Sequence, residues 1–340
     1  MVAASARISS ILNWYDRAEP DFHVPWAAEF QPLDTGLLLD ALVLQLGANL
    51  EPLTSWVASG FLSPGSTESF NQNWWSEKVS AHLRQHLTAT TSGRDSVRLH
   101  HQQGTLSSAW MGARPSHALG FTIEHGTYRA LLKWHLGIPL VPGDCGGGLC
   151  PMQCNKTVDP FGDHIVTCGR NKQWERHLGI QQYLSRCLLS SGIPHKLEMS
   201  SLGDLKREAD LLLPLWDGGV SLAIDDAVCH PAPLSLFPLT PEASTRIVRD
   251  RATRKDRKYA ARCTAAGSRF EPFVLTTWGS WVPGTESVWK DLVRRLAGHR
   301  RGKARSQLME ELQQGLSHAL AVGIGKQLLS LSLARAVAED

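Results

Sequence analysis

No stretch of the sequence approaches the roughly 18 to 20 consecutive apolar residues that a bilayer-crossing helix needs, so a membrane span is not expected. The amino terminus, MVAASARISSILNWYDRAEP, has a short apolar patch but lacks a basic lead into a long apolar run. Acids follow at once, and it does not read as a secretory signal or a transit peptide. Internal repeats and low-complexity tracts are missing as well. So is a dispersed, even set of cysteines: the seven present are odd in number and sit mostly in one cluster. That argues against a disulfide framework and for a metal site in a reducing compartment.

A strong overall charge is also lacking, at +3, but the distribution is uneven. The first 60 residues carry Arg7 and Arg17 against seven acids, whereas Arg246 to Arg305 carries 16 Lys/Arg against five Asp/Glu. A basic C-terminal third suggests a surface for a polyanion, most commonly nucleic acid; the alternative is a solvated helix face. With 42% hydrophobic and 20% charged residues, a buried core is expected and wholesale disorder is not.

Periodicity and breakers divide the chain. Residues 1–70 form an N-terminal segment without recognisable chemistry, closed by Pro, Gly and Ser at Ser63 to Ser66. Residues 71–142 read as a helical region, with a helix near Trp75 to Leu87, then a turn, a short strand and a helix that stops at Gly137 before Pro139. Residues 143–170 are a glycine-rich, cysteine-rich loop. Residues 171–335 hold a helix over Gln173 to Ser190 and strands at Lys196 to Met199, Ala209 to Leu213 and Val220 to Val228. A charged helix over Glu242 to Ala266 follows, then a strand over Phe270 to Thr277 and two more helices. This order is that of a compact α/β unit, a mixed sheet flanked by helices.

Within the loop, CPMQCNKTVDPFGDHIVTC offers Cys150, Cys154, His164 and Cys168. Two chelating arms joined by a bent spacer give a Cys3His set that suits tetrahedral Zn2+, and four protein ligands leave no open position, so the expected role is structural. Cys145 is an alternative ligand. His125, His135 and His177 have no companion at ligand spacing and read as surface or core histidines.

Downstream, Asp210 opens an apolar strand and Asp225 lies within the next. Carboxylates placed in strands need compensation, and a divalent cation is a common one. A short turn between the strands would set Asp210 and Asp225 side by side, able to hold Mg2+ or Mn2+ against a phosphate. Glu198 on the preceding strand is a further acid. The position two residues beyond Asp225 is Ala227, so a cationic side chain must come from elsewhere; Lys255 and Lys258, three apart on the charged helix, are the candidates.

Several blocks together resemble the C-terminal region of non-LTR retroelement proteins, the stretch that follows their reverse transcriptase. They are SSAWMGARPSHALGF, YRALLKWHLGIPL, CPMQC and DPFGDHIVTC, then EADLLLPLWDGGVSLAIDDAV and KDRKYAARCTAAGSRFEPFVLTTWGSW, and they extend from about Trp74 to the C-terminus. The resemblance implies a zinc knuckle of Cys150, Cys154, His164 and Cys168, followed by a PD-(D/E)xK restriction-endonuclease-like core that nicks target DNA. By position Asp210 and Asp225 match the two acids, Lys255 and Lys258 the lysine pair and Tyr259 its neighbouring tyrosine, with Arg254 and Arg257 beside them as nucleic-acid contacts. It also implies DNA or RNA as partner, a nuclear location, and a reverse transcriptase in the same polyprotein, of which this chain has no trace. Glu208, Asp226 and Thr277 depart from the family pattern, which has proline, a core hydrophobe and an acid there; Asp226 adds a like charge beside Asp225, expected to raise a carboxylate pKa. Two functions follow: a Mg2+-dependent endonuclease, or a catalytically inactive, zinc-stabilised nucleic-acid-binding module.

Overall fold

The structure, a computed structural model, describes residues 87–117, 120–141, 148–199, 209–233, 239–299 and 304–339. The segment 1–70, almost all of the expected helix at 75–87, and Cys145 lie outside the described residues. From Thr90 on, the chain forms one compact unit that includes both the cysteine loop and the strands. No helix among the described residues is long and apolar enough to cross a membrane.

In chain order the elements are α1 (Gly93–His101), α2 (Ala109–Gly112), α3 (His125–Leu136), α4 (Asp163–Thr167), α5 (Gln173–Leu189), β1 (Lys196–Met199), β2 (Ala209–Asp217), β3 (Val220–Cys229), α6 (Pro241–Ala265), β4 (Ser268–Thr276), α7 (Pro283–His299) and α8 (Arg305–Glu339). The Glu124 carboxylate caps α3 by accepting the amides of Gly126 and Thr127, and Gly137 ends it at φ 75. Among the described residues the short strand expected ahead of α3 is not formed: Ser116 and Phe121 make only an isolated bridge.

The sheet runs β1-β2-β3-β4, antiparallel across the first three strands and parallel between β3 and β4. Helix α6 is the crossover that a parallel connection needs. Strand β2 extends to Asp217 rather than stopping at Leu213. The register shifts between Leu213 and Asp217, with Leu215 at φ 52, so Pro214 sits in a bulge and Trp216 still packs inward.

One face of the sheet carries the main core: Leu211, Leu213, Leu222, Ile224, Phe273 and Leu275 meet Ile180 and Leu184 of α5, Leu292 of α7 and Leu316 and Leu320 of α8. The other face carries two smaller clusters beneath α6, Ala209, Ala223 and Phe270 with Cys263, and Ala227 and Val274 with Val248. The tryptophans Trp110, Trp134, Trp216, Trp278 and Trp289 are buried, and the rings of Trp134 and Trp278 stack at 5.5 Å. They pack the core, with Trp281 partly buried against it. Helix α8 lies close enough on α5 that a Cβ at Gly323 would stand 2.8 Å from Arg176 Cα.

A buried ion pair joins the loop to the rest. Arg94 clamps Asp163 through Nε and through Nη2 at 2.8 Å, and Trp134 Nε1 donates to the same carboxylate at 3.0 Å. Full burial opposes the charge, but His230, 3.8 Å away, and after it the Arg94 and Trp134 donors overcome it and hold the Asp163 carboxyl below its ordinary range. Asp163→Ala leaves the Arg94 guanidinium enclosed without its anion and is expected to cost about 3–5 kcal/mol. Urea unfolding of the variant measures this; a loss well under 1 kcal/mol would show that the clamp is dispensable.

Candidate functional site

The cysteine loop brings its four nominated donors together. Cys150 Sγ lies 3.9 Å from Cys168 Sγ, Cys154 Sγ lies 3.2 Å from His164 Nε2, and all four ligand atoms fall within 4.8 Å of one another. Bond lengths of about 2.3 Å to sulfur and 2.0–2.1 Å to nitrogen give ligand-to-ligand spacings of this order around one tetrahedral ion. The cluster can therefore bind a metal such as zinc. Its backbone is prepared for the job: Gln153, Asn155 and Gly162 turn through positive φ, and the Asp159 carboxylate accepts the amides of Phe161, Asp163 and His164 at 3.0, 3.1 and 2.7 Å. That cap fixes the start of α4, and with it the His164 ring. The loop also adds apolar surface, since Val141, Val158 and Ile165 pack with the two buried thiols against Leu331.

The second site forms where β2 and β3 meet two helices. Leu211 pairs with Ile224, and the same register carried one residue back sets Asp210 opposite Asp225. All three acids, Asp210, Asp225 and Asp226, are buried. Consecutive side chains on a strand leave opposite faces, so Asp225 and Asp226 cannot share an environment. Asp225 points toward α6, where Lys255 Nζ donates to its Oδ2 and lies 3.1 Å from the Asp226 carbonyl oxygen. Asp226 points toward α5, with Oδ2 2.8 Å from His177 Nδ1. Asp210 serves both sides. Its Oδ2 accepts the Asp226 amide at 2.8 Å, its Oδ1 lies 3.3 Å from His177 Nε2, and it stands near enough to Asp225 to raise that carboxyl's pKa.

The electrostatics follow from this crowding. Burial, and next the neighbouring Asp210 carboxyl, push Asp225 up to about 6, with Lys255 pulling the other way. Burial also works against a charged His177, yet its contacts with Asp210 and Asp226 override it and raise the imidazole to about 10.

The sequence expectations are met unevenly. Asp210, Asp225 and Lys255 converge as anticipated. Lys258 does not join them: its Nζ donates to Tyr259 Oη at 2.7 Å and lies 4.5 Å from the centre of that ring. The three-residue step from Lys255 turns it far enough around the helix to reach solvent. Tyr259 itself packs on Phe270, 5.7 Å between ring centres, which makes it a sheet-covering residue. Arg254 and Arg257 are exposed on α6. Glu198 lies on β1, with its backbone in the strand. The like-charge effect expected of Asp226 on Asp225 is not what moves Asp225; burial and Asp210 do. His177, read from the sequence as an isolated surface or core histidine, instead stands between two carboxylates, and Asp226 is its partner. Compared with known proteins, the chain matches no family model and no curated protein.

Proposed function

We propose that the chain is a metal-dependent DNA endonuclease of the restriction-like kind, braced by a structural zinc ion at Cys150, Cys154, His164 and Cys168. One observation carries the reading: two buried carboxyls, Asp210 and Asp225, meet across adjacent strands with the Lys255 ammonium on one of them. Asp210 and Asp225 would hold Mg2+ or Mn2+; such an ion lowers the pKa of a bound water and neutralises charge on a phosphate. Lys255, fixed by Asp225 and the Asp226 carbonyl, holds a positive charge where an anionic diester would lie. Helix α6 supplies the grip, with eight Lys/Arg against three acids between Pro241 and Ala265, and Arg246, Arg249, Arg251, Arg254, Arg257 and Lys258 exposed. Proline is present at its first turn, and the Thr240 side chain accepts the Ala243 amide, so this basic helix is well started and rigid.

A second reading, an inactive nucleic-acid-binding module, is favoured by a different observation. The acids already have cationic neighbours inside the protein, Lys255 on Asp225 and His177 on Asp226. Supercoiled plasmid incubated with the protein in Mg2+ or Mn2+ separates the two: nicked circles support the endonuclease, whereas a salt-sensitive mobility shift without nicks supports the module.

The lysines give a sharper comparison. Lys255→Ala should lower nicking by about 100-fold or more, as removal of one preorganised charge in an enclosed site does. Lys258→Ala should cut near the parental rate and bind DNA more weakly, with a shallower dependence on salt. Equal losses in both variants would show that neither acts at the acidic site.

A further inference from the structure

We propose that His177, Asp210 and Asp226 form the ligand set of a first-row divalent cation, placed on the α5 side of the sheet and favouring Mn2+ over Mg2+. The proposal revises the ligand set of the endonuclease reading, keeping Asp210 and putting His177 and Asp226 in place of Asp225, and rests on that reading for what the ion would do, although not for whether the ion binds.

Three features single out this set. Nitrogen and carboxylate donors from His177, Asp210 and Asp226 lie within 4.8 Å of one another, a grouping that among the described residues recurs only in the cysteine loop. The Asp226 carboxylate is buried, 3% exposed, and its Oδ2 receives no well-aligned hydrogen bond although His177 Nδ1 is 2.8 Å away. An enclosed carboxylate oxygen whose near neighbour is poorly aligned is costly, and a cation bound between the two would satisfy it. Finally, Asp225 is already engaged by Lys255, so the donors left open converge toward α5 rather than α6.

Charge balance agrees. Asp210, Asp225 and Asp226 bring three negative charges and Lys255 one positive, and a divalent ion that displaces the His177 proton would neutralise the two left over. Imidazole is a borderline donor, well suited to Mn2+ and later first-row ions, whereas Mg2+ prefers oxygen. The Gln181 side-chain amide lies 2.9 Å from His177 Nε2, one helical turn along α5. The opposing account is that protonated His177 is itself the counterion and no metal enters.

The test uses the full chain with its zinc in place and Mn2+ as the probe. Pulsed electron paramagnetic resonance of the wild-type protein should show Mn2+ coupled to an imidazole 14N, and His177→Gln should abolish that coupling. In titrations, His177→Gln and Asp226→Asn should each weaken Mn2+ binding by about tenfold or more, while Asp225→Asn should retain the 14N coupling. Bound Mn2+ without 14N coupling in the wild type overturns the proposal and needs no variant to fold. So does a His177→Gln protein that binds Mn2+ as tightly as its parent, or a wild-type protein that binds none. Plasmid nicking on the same samples keeps the two ideas apart. Coupled Mn2+ with no nicking leaves the site standing and removes the nuclease; Mg2+-supported nicking that His177→Gln leaves unchanged, with no Mn2+ preference, does the reverse.

Discussion

Asp210→Asn should reduce plasmid nicking by more than about 100-fold while DNA affinity stays near that of the parent. The size follows from what Asp210 touches. It is the one acid in contact with both others' surroundings: the Asp226 amide at 2.8 Å, His177 at 3.3 Å and the Asp225 carboxyl. Changing a group that only supports a metal ligand already costs about 10–100-fold, so loss of a direct carboxylate ligand should cost more. Asparagine is nearly isosteric and keeps an oxygen for the Asp226 amide, so the strand pairing should survive and the variant should melt close to the parent. The exposed basic residues of α6 are untouched, which is why binding and cutting should separate. Conversion of supercoiled to nicked circles, followed beside a mobility-shift titration, measures both. Nicking that persists within a few-fold of the parent would remove Asp210 from the chemistry and leave the binding-module reading in possession.

The same residues show where a sequence can be read and where it cannot. Cys150, Cys154, His164 and Cys168 announce themselves because all four ligands lie inside 19 residues, so local spacing implies proximity. Asp210 and Asp225 are legible for a related reason: a hairpin connects their strands, and antiparallel pairing converts sequence distance into register. Lys255 is harder, since 30 residues of crossover separate it from Asp225, and only the folded path of α6 decides that Lys255 rather than Lys258 turns inward. His177 was not legible as a site residue. It stands on an ordinary amphipathic helix, 33 residues before Asp210, and its role arises from how α5 packs on the sheet. One signal was available, however. Two consecutive acids on a buried central strand must leave opposite faces, so Asp226 required a partner on the side away from Lys255. The helix covering that side offers His177.

Stripping the metal from the cysteine loop should lower the melting temperature by roughly 8–16 °C, the counterpart of about 4 kcal/mol in a unit of this size. Besides the small apolar cluster on Leu331, the loop has little regular structure to hold it. Between Gly148 and Cys168 regular structure amounts to the single turn α4 and an isolated Leu149–Thr157 bridge, with the Cys150 amide on Lys156 O at 2.8 Å and the Val158 amide on Gly148 O at 2.9 Å. Without a cation the thiols also crowd one another: burial foremost, with Cys154 and Cys168 adding to it, pushes Cys150 up to about 11. Asp163 and its Arg94 clamp anchor only the far end. The loss should travel. Asn171 Nδ2 bonds Ile165 O at 3.0 Å and Gln327 O at 3.1 Å, and Arg176, next to His177, reaches Val166 O at 3.4 Å. Loosening α4 therefore releases the start of α5, the helix that sets the His177 ring against Asp210 and Asp226. Chelation should thus depress nicking and melting temperature together, and added zinc alone should restore both. Cys168→Ser should reproduce the effect with metal content falling below one zinc per chain by atomic absorption. A chelated protein that melts and nicks like the loaded one would show that the four donors brace nothing.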